Sequence, residues 1–248
     1  YGWLVVTSAE AFILTDSRYR LQAGYEAPGF TLREVVNPGK TMPDLVKQIA
    51  SEQGLDRLGF EAAHMSVAEH GRVQTALGDG VTLIPTQGVV EGLREIKDAA
   101  ELTALRRAIA ITDEAIEAVM PQLRPEHTER QAAWLLEQAM HERGAEGPSF
   151  SIIVAAGPNA AHPHHHPGHK PLGEGRTIVI DMGALVDGYH ADLTRTIVLG
   201  ALDARFWEIY NLVLAAEQKA IAGIRPGALA HEIDALARDV IAAAGYGD

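Results

Sequence analysis

Two aspartates lie beside apolar, β-branched stretches with a turn signal between them. The segment Thr177–Leu199 reads TIVIDMGALVDGYHADLTRTIVL and contains Asp181, Asp192 and the dipeptide Asp187-Gly188. Asp-Gly between apolar stretches is a strong hairpin signal, because both central positions of a type I′ turn need a positive φ. The sequence therefore predicts a β-hairpin whose two-residue turn is this dipeptide.

The predicted turn fixes which residues of the two strands face each other. It pairs Asp181 with Thr194 and Gly183 with Asp192. Side chains alternate between the two faces of a strand, so this register places the two aspartates on one face as diagonal neighbours. Diagonal neighbours are separated by roughly 7–8 Å. Carboxylates leaning together from that distance could clamp two cations about 3.5–4 Å apart.

The alternative interpretation of each aspartate alone is a turn-forming residue or a solvated charge at a strand end. Two observations favour a cation site instead. Like charges on one buried face repel each other unless a cation lies between them. A histidine-rich loop, Ala156–Pro167, also comes just before the first strand. The chain has no cysteine, so any metal ion must be held by oxygen and nitrogen donors.

These motifs together resemble the pita-bread metallopeptidases, a group that includes aminopeptidase P, prolidase, methionine aminopeptidase and creatinase. The resemblance rests on Gly157–His165, Ile180–Gly183 and Gly188–Thr196. Upstream, Leu14–Tyr19 and Leu93–Asp98 resemble the proline-specific branch of the family. The resemblance runs through nearly the whole chain. It implies an α/β amino-terminal domain of the creatinase type, followed by an α+β pita-bread catalytic domain.

The resemblance also implies roles for five side chains. Asp181 would chelate one metal ion, and Asp192 would bridge both. His164 matches the substrate-side histidine of the family, which binds substrate and steadies the tetrahedral intermediate by hydrogen bonding. His165 matches a common family position whose role is open, and we include it among the substrate contacts. His190 would lie on the face of Asp192 in a regular strand, so it is a further candidate for substrate contact.

The implied cofactor is a pair of divalent metal ions, with Mn²⁺ as the first choice and Co²⁺ or Zn²⁺ as alternatives. Such a pair would supply a metal-bound hydroxide and polarise the scissile carbonyl. The implied activity is hydrolysis of the Xaa-Pro bond in a proline-containing peptide, by an Xaa-Pro dipeptidase or an Xaa-Pro aminopeptidase. The family also leads us to expect a cytoplasmic homodimer. Two alternatives stay open: a creatinase-like amidinohydrolase, which needs no metal pair, and a non-catalytic pita-bread binding protein.

Composition excludes some other classes of function. The chain has 248 residues, of which 47% are hydrophobic and 22% charged, and its formal net charge is −12. This charge argues against a nucleic-acid partner, because phosphates require basic patches. No apolar run approaches the length of a membrane span. We therefore expect a globular protein with neither a nucleic-acid nor a membrane partner.

The chain is expected to contain two domains. Residues 1–95 alternate between strand-like and helix-like stretches, which predicts an α/β lid or dimerisation domain, and residues 96–248 form the metallopeptidase domain. Three polar residues of the first domain, Glu61, His64 and His70, are predicted to lie at the surface. The predicted strands are Trp3–Val6, Ala11–Thr15, Phe30–Val36, Arg57–Phe60 and Val81–Ile84, and the predicted helices are Met42–Gln53 and Val67–Leu77.

The second domain contains a sequence repeat, from which we infer how much of the catalytic domain is present. Leu123–Gly144 matches Ile224–Gly245 without gaps at an offset of 101 residues. Chance similarity between two alanine-rich helices is the alternative. A true repeat predicts two helices on the same side of the sheet, with Trp134 filling more of its interface than the equivalent Ala235. The first copy leads into the hairpin and the second is followed by three residues, so we expect a catalytic domain incomplete in its carboxy-terminal half.

Overall fold

The computed structural model describes residues 2–35 and 39–247, and the chain divides into two compact units, Tyr1–Ile96 and Lys97–Asp248. The predicted strand at Phe30 extends to Val36, which lies outside the described residues. Within the described residues, no helix is long and apolar enough to cross a membrane. The first unit contains strands β1 (Trp3–Val6), β2 (Ala11–Asp16), β3 (Thr31–Val35), β4 (Arg57–Glu61) and β5 (Thr82–Thr86), and helices α1 (Arg20–Glu26), α2 (Met42–Glu52), α3 (Val67–Leu77) and α4 (Val89–Arg94).

The first unit is an α/β structure, as predicted. Strand β2 pairs with β1 in antiparallel and with β3 in parallel orientation, while β4 and β5 form a separate parallel pair. Helices α2 and α3 begin at capping boxes formed by Thr41 and Ser66, and they pack against each other. Helices α1 and α4 were not predicted from the sequence. Ala23 is the one buried residue of α1 and α4 buries none, so neither helix contributes a buried apolar face to the core.

The second unit combines helices with short antiparallel strands. Its first two helices begin at capping boxes formed by Asp98 and Thr128. Both boxes can be read from the sequence, as Asp98-Ala-Ala-Glu101 and Thr128-Glu-Arg-Gln131. Its helices are α5 (Ala99–Val119), α6 (Glu129–Glu142), α7 (Ala204–Gly223) and α8 (Ala230–Ala243), and its strands are β6 (Gly147–Pro148), β7 (Ile153–Ala156), β8 (Arg176–Met182), β9 (Ala184–Val186), β10 (Tyr189–His190) and β11 (Leu193–Leu199).

Two three-stranded sheets form the centre of the second unit. One has the order β11-β8-β7 and the other the order β10-β9-β6. Helix α5 packs against β9 and β10, and α6 packs against β6 and β7. A buried hydroxyl ties α5 to the second sheet: Thr112 Oγ1 accepts a hydrogen bond of 2.9 Å from the backbone N–H of Ala184. Helices α5 and α6 therefore pack against the strands of both sheets, and α5 is also hydrogen-bonded to strand β9.

The repeat is confirmed in local structure, but its predicted packing is wrong. Helices α6 and α8 begin and end at an offset of 101 residues, and each is followed by a glycine with positive φ, 94° at Gly144 and 86° at Gly245. However, α8 packs against α7 rather than against a strand. Trp134 is 62% exposed, so its indole does not fill an interface as predicted. Helix α8 has no buried residue, because its apolar side meets only one neighbouring helix.

Candidate metal centre

The hairpin has the turn and the register that the sequence predicts. Asp187 has a φ of 50° and Gly188 a φ of 76°, as a type I′ turn requires. Asp181 pairs with Thr194, and the same register continues through both sheets. The hairpin thus brings its two chain segments together as expected.

The hairpin is not one continuous ribbon, however. Both of its strands pass from one sheet to the other, with the interruption at Gly183 and Asp192. A Cβ atom at Gly183 would overlap the carbonyl oxygen of Ala191, so a glycine is required for this close approach. The carbonyl oxygen of Gly183 accepts a hydrogen bond of 2.8 Å from the backbone N–H of Ser149. The neighbouring strand therefore supports the break.

The neighbouring strand carries a bulge at the same level. Between the pairs Pro148–Ala184 and Ile153–Asp181, the outer chain advances by five residues while the hairpin strand advances by three. The two extra residues lie in the segment 149–152. Bulges often occur next to active sites, where they redirect side chains. Here the bulge pushes part of this segment into the wall of a cleft.

That cleft has a volume of about 360 Å³ and lies within the second unit. It brings together four of the five predicted site residues: both aspartates, His164 and His165. His190 is not part of the cleft wall, and its Nδ1 lies 3.1 Å from the carbonyl oxygen of Ser149. Strand β10 ends at His190, so the alternation that placed this side chain on the face of Asp192 is interrupted. The wall is formed by Phe150, Ser151, Ile153, His164, His165, His166, Asp181 and Asp192.

The electrostatics of the cleft fit a cation. Burial raises the pKa of the Asp181 carboxyl, and the negative charge of Asp192 raises it further. The hydroxyl of Thr194, 3.0 Å from Asp181 Oδ1, and the nearby His164 act in the opposite direction. No Lys or Arg is among the residues that line the cleft. Two carboxylates without a Lys or Arg beside them, in a chain without thiolates, are a donor set that suits a divalent metal ion.

A buried carboxylate behind the cleft was missed by sequence reasoning. Glu129, the first residue of α6, is fully buried. Its Oε1 accepts hydrogen bonds from the backbone N–H of Ala156 (2.9 Å) and from Asn159 Nδ2 (2.7 Å). Its Oε2 lies 2.8 Å from His165 Nε2 and accepts a bond of 3.0 Å from the backbone N–H of Gly168. These partners are 27 to 39 residues away along the chain, so no local pattern reveals them.

Glu129 is ionised despite its burial. Burial alone would raise the pKa of this carboxyl, but the four hydrogen bonds outweigh burial and hold the pKa below its ordinary value. A carboxylate that accepts several hydrogen bonds is stabilised in its charged form. The negative charge also lies at the amino-terminal end of a helix, where the helix dipole favours it.

The first unit contains a second group of ligand-type side chains. Glu61, His64 and Glu91 are exposed, and their ligand atoms lie within 4.8 Å of one another. His64 Nε2 and Glu91 Oε1 are 3.3 Å apart. The predicted surface positions of Glu61 and His64 are confirmed, whereas the third polar residue, His70, is half-buried against the ring of Phe60.

The fold and the site together define a metallopeptidase of the pita-bread type, and comparison with known families agrees. Residues 103–248 match the model of metallopeptidase family M24, and residues 1–96 match the creatinase/prolidase amino-terminal domain. The chain therefore belongs to metallopeptidase family M24, in its proline-specific branch.

Curated relatives match the whole chain or a large part of it. An uncharacterised peptidase of Bacillus subtilis is 34% identical over 247 residues, covering 100% of this chain and 69% of the relative. The Xaa-Pro dipeptidase of Pyrococcus furiosus is 39% identical over 160 residues, covering 64% of this chain and 46% of the relative. The chain thus spans about two thirds of the first relative, while the match to the second extends over less than half of it.

Solved structures show the same fold. The Xaa-Pro dipeptidase from Bacillus anthracis superposes with a TM-score of 0.92 at 35% identity, covering 100% of this chain and 68% of that protein. The X-Pro aminopeptidase from Thermotoga maritima superposes with a TM-score of 0.92 at 32% identity, covering 100% of this chain and 69% of that protein. The chain thus spans about two thirds of the length of each of these proteins.

Proposed function

We propose that the protein hydrolyses the Xaa-Pro peptide bond, as an Xaa-Pro dipeptidase or an Xaa-Pro aminopeptidase that uses two divalent metal ions. The observation that carries this proposal is the meeting of Asp181, Asp192 and His164 in one cleft whose wall contains no Lys or Arg. The choice of substrate is supported by the similarity to an Xaa-Pro dipeptidase and to an X-Pro aminopeptidase.

Each side chain has a specific task in this proposal. Asp181 and Asp192 would hold the metal ions, which when bound acidify water and polarise a carbonyl group. The Thr194 hydroxyl donates to Asp181 Oδ1 and so fixes the orientation of that carboxylate. His164, exposed at the cleft, would donate a hydrogen bond to the substrate oxygen on which negative charge develops. His165 has a partner behind the cleft, and His190 lies outside the cleft wall, so we assign substrate contact to His164 first.

Three further parts of the proposal concern the whole protein. Mn²⁺ is the proposed native metal, because carboxylate donors without thiolates suit it. The domain formed by residues 1–95 is proposed to act as a lid or in dimerisation, and the protein is proposed to be a homodimer. A cytoplasmic location is part of the same proposal.

Peptide hydrolysis by purified full-length protein tests the proposal directly. The protein would be freed of metal with a chelator and then loaded separately with Mn²⁺, Co²⁺ or Zn²⁺. Its substrates would be Ala-Pro, Ala-Pro-Ala and Met-Ala-Ser. Cleavage before proline, strongest with Mn²⁺, is the expected result, and the first two peptides separate dipeptidase from aminopeptidase. Preferential release of Met from Met-Ala-Ser would refute the proline specificity.

Two variants test the assignment of the carboxylates. Asp181→Asn and Asp192→Asn are each expected to lower the bound-metal stoichiometry and to abolish cleavage, whereas the exposed Asp203→Asn serves as a control that leaves both unchanged. An unchanged metal stoichiometry in both site variants would show that the cleft does not bind the metal pair. Activity without any metal would favour the creatinase-like alternative, and metal binding without hydrolysis of any peptide would favour a binding protein.

A further inference from the structure

We propose that Glu129 is the positioning residue of the cleft: as a buried carboxylate it holds the loop of residues 157–169, which contains the histidines of the segment described above, in the conformation that places His164 beside Asp181. His164 has a task only if the protein is a peptidase, so the catalytic part of this role rests on the proposed function. The loop geometry itself does not depend on that function.

The partners of Glu129 are distributed so that one carboxylate anchors the whole loop. Ala156 immediately precedes the loop, Asn159 lies near its start, and His165 and Gly168 lie in its second half. Two of the four donors are backbone N–H groups. Helix α6 and the chain after the loop are also joined directly, because the backbone N–H of Glu129 donates to the carbonyl oxygen of Lys170 at 3.0 Å.

His164 has no anchor of its own. Among the described residues its ring forms no hydrogen bond, and the residue is exposed. Its position is therefore set by the backbone on either side, and the next residue, His165, is fixed through Nε2 to the buried carboxylate. Because a carboxylate is an acceptor, Nε2 of His165 must carry a proton. The contact with Glu129 thus fixes the ring of His165 directly and, through it, the backbone of His164.

Both carboxylate oxygens of Glu129 are needed as acceptors, so a side chain of the same shape does not suffice. Each carboxylate oxygen accepts two hydrogen bonds. A glutamine at this position would have to point its NH₂ group at one of the two donor pairs. The Asn159 amide or the His165 ring can reorient to accept, but the backbone N–H of Ala156 or of Gly168 cannot. Either orientation leaves one buried backbone donor unpaired, which disfavours the observed loop conformation.

The test compares Glu129→Gln with Glu126→Gln in the full-length protein. Glu126 is exposed and three residues earlier in the chain, so its variant loses the same charge without touching the loop. In metal-free protein, Glu129→Gln is expected to speed the amide hydrogen exchange of residues 157–169 by about tenfold or more, and Glu126→Gln to leave it unchanged. In metal-loaded protein, Glu129→Gln is expected to lower kcat for Xaa-Pro hydrolysis by about ten- to a hundredfold, with unchanged metal stoichiometry and a smaller effect on KM.

The outcomes separate this inference from the proposed function. Exchange rates and kcat of Glu129→Gln within twofold of the wild type would overturn the positioning role. Loss of metal in proportion to kcat would also overturn it, because it would indicate general disruption of the cleft. A wild type that cleaves no Xaa-Pro peptide would refute the proposed function, while hydrogen exchange would still decide whether Glu129 orders the loop.

A milder variant keeps the test decisive if Glu129→Gln does not fold. Asn159→Ala removes one side-chain donor and leaves the carboxylate with its other three partners. It is expected to speed exchange of the same loop by a smaller factor than the glutamine variant. Unchanged exchange in a folded Asn159→Ala protein would contradict the inference.

Discussion

Gly183→Ala should disrupt the hairpin more than any other glycine-to-alanine change near the cleft. The added Cβ atom would overlap the carbonyl oxygen of Ala191, lie 2.6 Å from the carbonyl carbon of that residue and lie 3.0 Å from Ser149 Oγ. Adding a methyl group to a packed interior costs about 1–3 kcal/mol when side chains can move aside. Here two of the three nearest atoms belong to the backbone, so the paired strands must separate. We therefore expect a loss of about 3 kcal/mol or more in the unfolding free energy of the second unit.

Urea unfolding followed by hydrogen exchange of the β8–β11 amides would measure this loss. Residue-level exchange is needed because a chain with two compact units can unfold in more than one step. Gly147→Ala is the matched control in the same unit: Gly147 lies in strand β6 with no atom within 4 Å of the added Cβ, and its replacement is expected to stabilise the unit by about 0.5–1 kcal/mol. A Gly183→Ala protein within about 0.5 kcal/mol of the wild type would refute the explanation of the break.

Three further results are expected from the second unit. Thr112→Val leaves the buried N–H of Ala184 without its acceptor and should cost about 1–3 kcal/mol in urea unfolding, whereas the exposed Thr103→Val should cost less than about 0.5 kcal/mol; equal costs would contradict this. The pKa of the Asp181 carboxyl is raised in the folded protein. In metal-free protein, the protonated carboxyl therefore contributes its full stabilisation below pH 3.8, the ordinary pKa, and this stabilisation is lost as the pH rises through the folded pKa. Asp181→Asn should therefore raise the melting temperature in chelator at pH 7, and should lack the gain of about 2.7 kcal/mol that metal at 100 times its Kd gives the wild type. The pKa of the Glu129 carboxyl is lowered in the folded protein, so the ionised carboxylate contributes its full stabilisation above pH 4.5, the ordinary pKa, and this stabilisation is lost as the pH falls through the folded pKa. Glu129→Gln should therefore reduce the dependence of the unfolding free energy on pH in the acid range. An unchanged dependence would count against the ionisation of Glu129.

The features that the sequence predicts correctly depend on short-range rules. The turn at Asp187-Gly188 follows from the φ values that a type I′ turn requires, and the turn fixes the pairing of Asp181 with Thr194. Capping boxes are equally local, since they join residues three positions apart. Local chemistry therefore sufficed for the hairpin and for the starts of α5 and α6.

The features that escaped prediction depend on contacts between distant segments. The break at Gly183 follows from its approach to Ala191 and from the bulge on the neighbouring strand, and the turn alone indicates neither. Glu129 reads as an ordinary residue of a helix start, because its four partners lie 27 to 39 residues further along. The prediction that His190 lies on the face of Asp192 was wrong for the same reason. It assumed that side chains alternate along a continuous strand, and the strand is interrupted after His190.

The hairpin belongs to two sheets at once, and this has a consequence for how the site tolerates change. Asp181 lies near the end of one sheet and Asp192 in the gap between the two. The separation of the two carboxylates therefore depends on the angle at which the sheets diverge. Substitutions in the apolar layers beneath either sheet would alter that separation without replacing either carboxylate. If the two aspartates hold the metal ions as proposed, the metal preference would respond to the hydrophobic interior as well as to the two carboxylates.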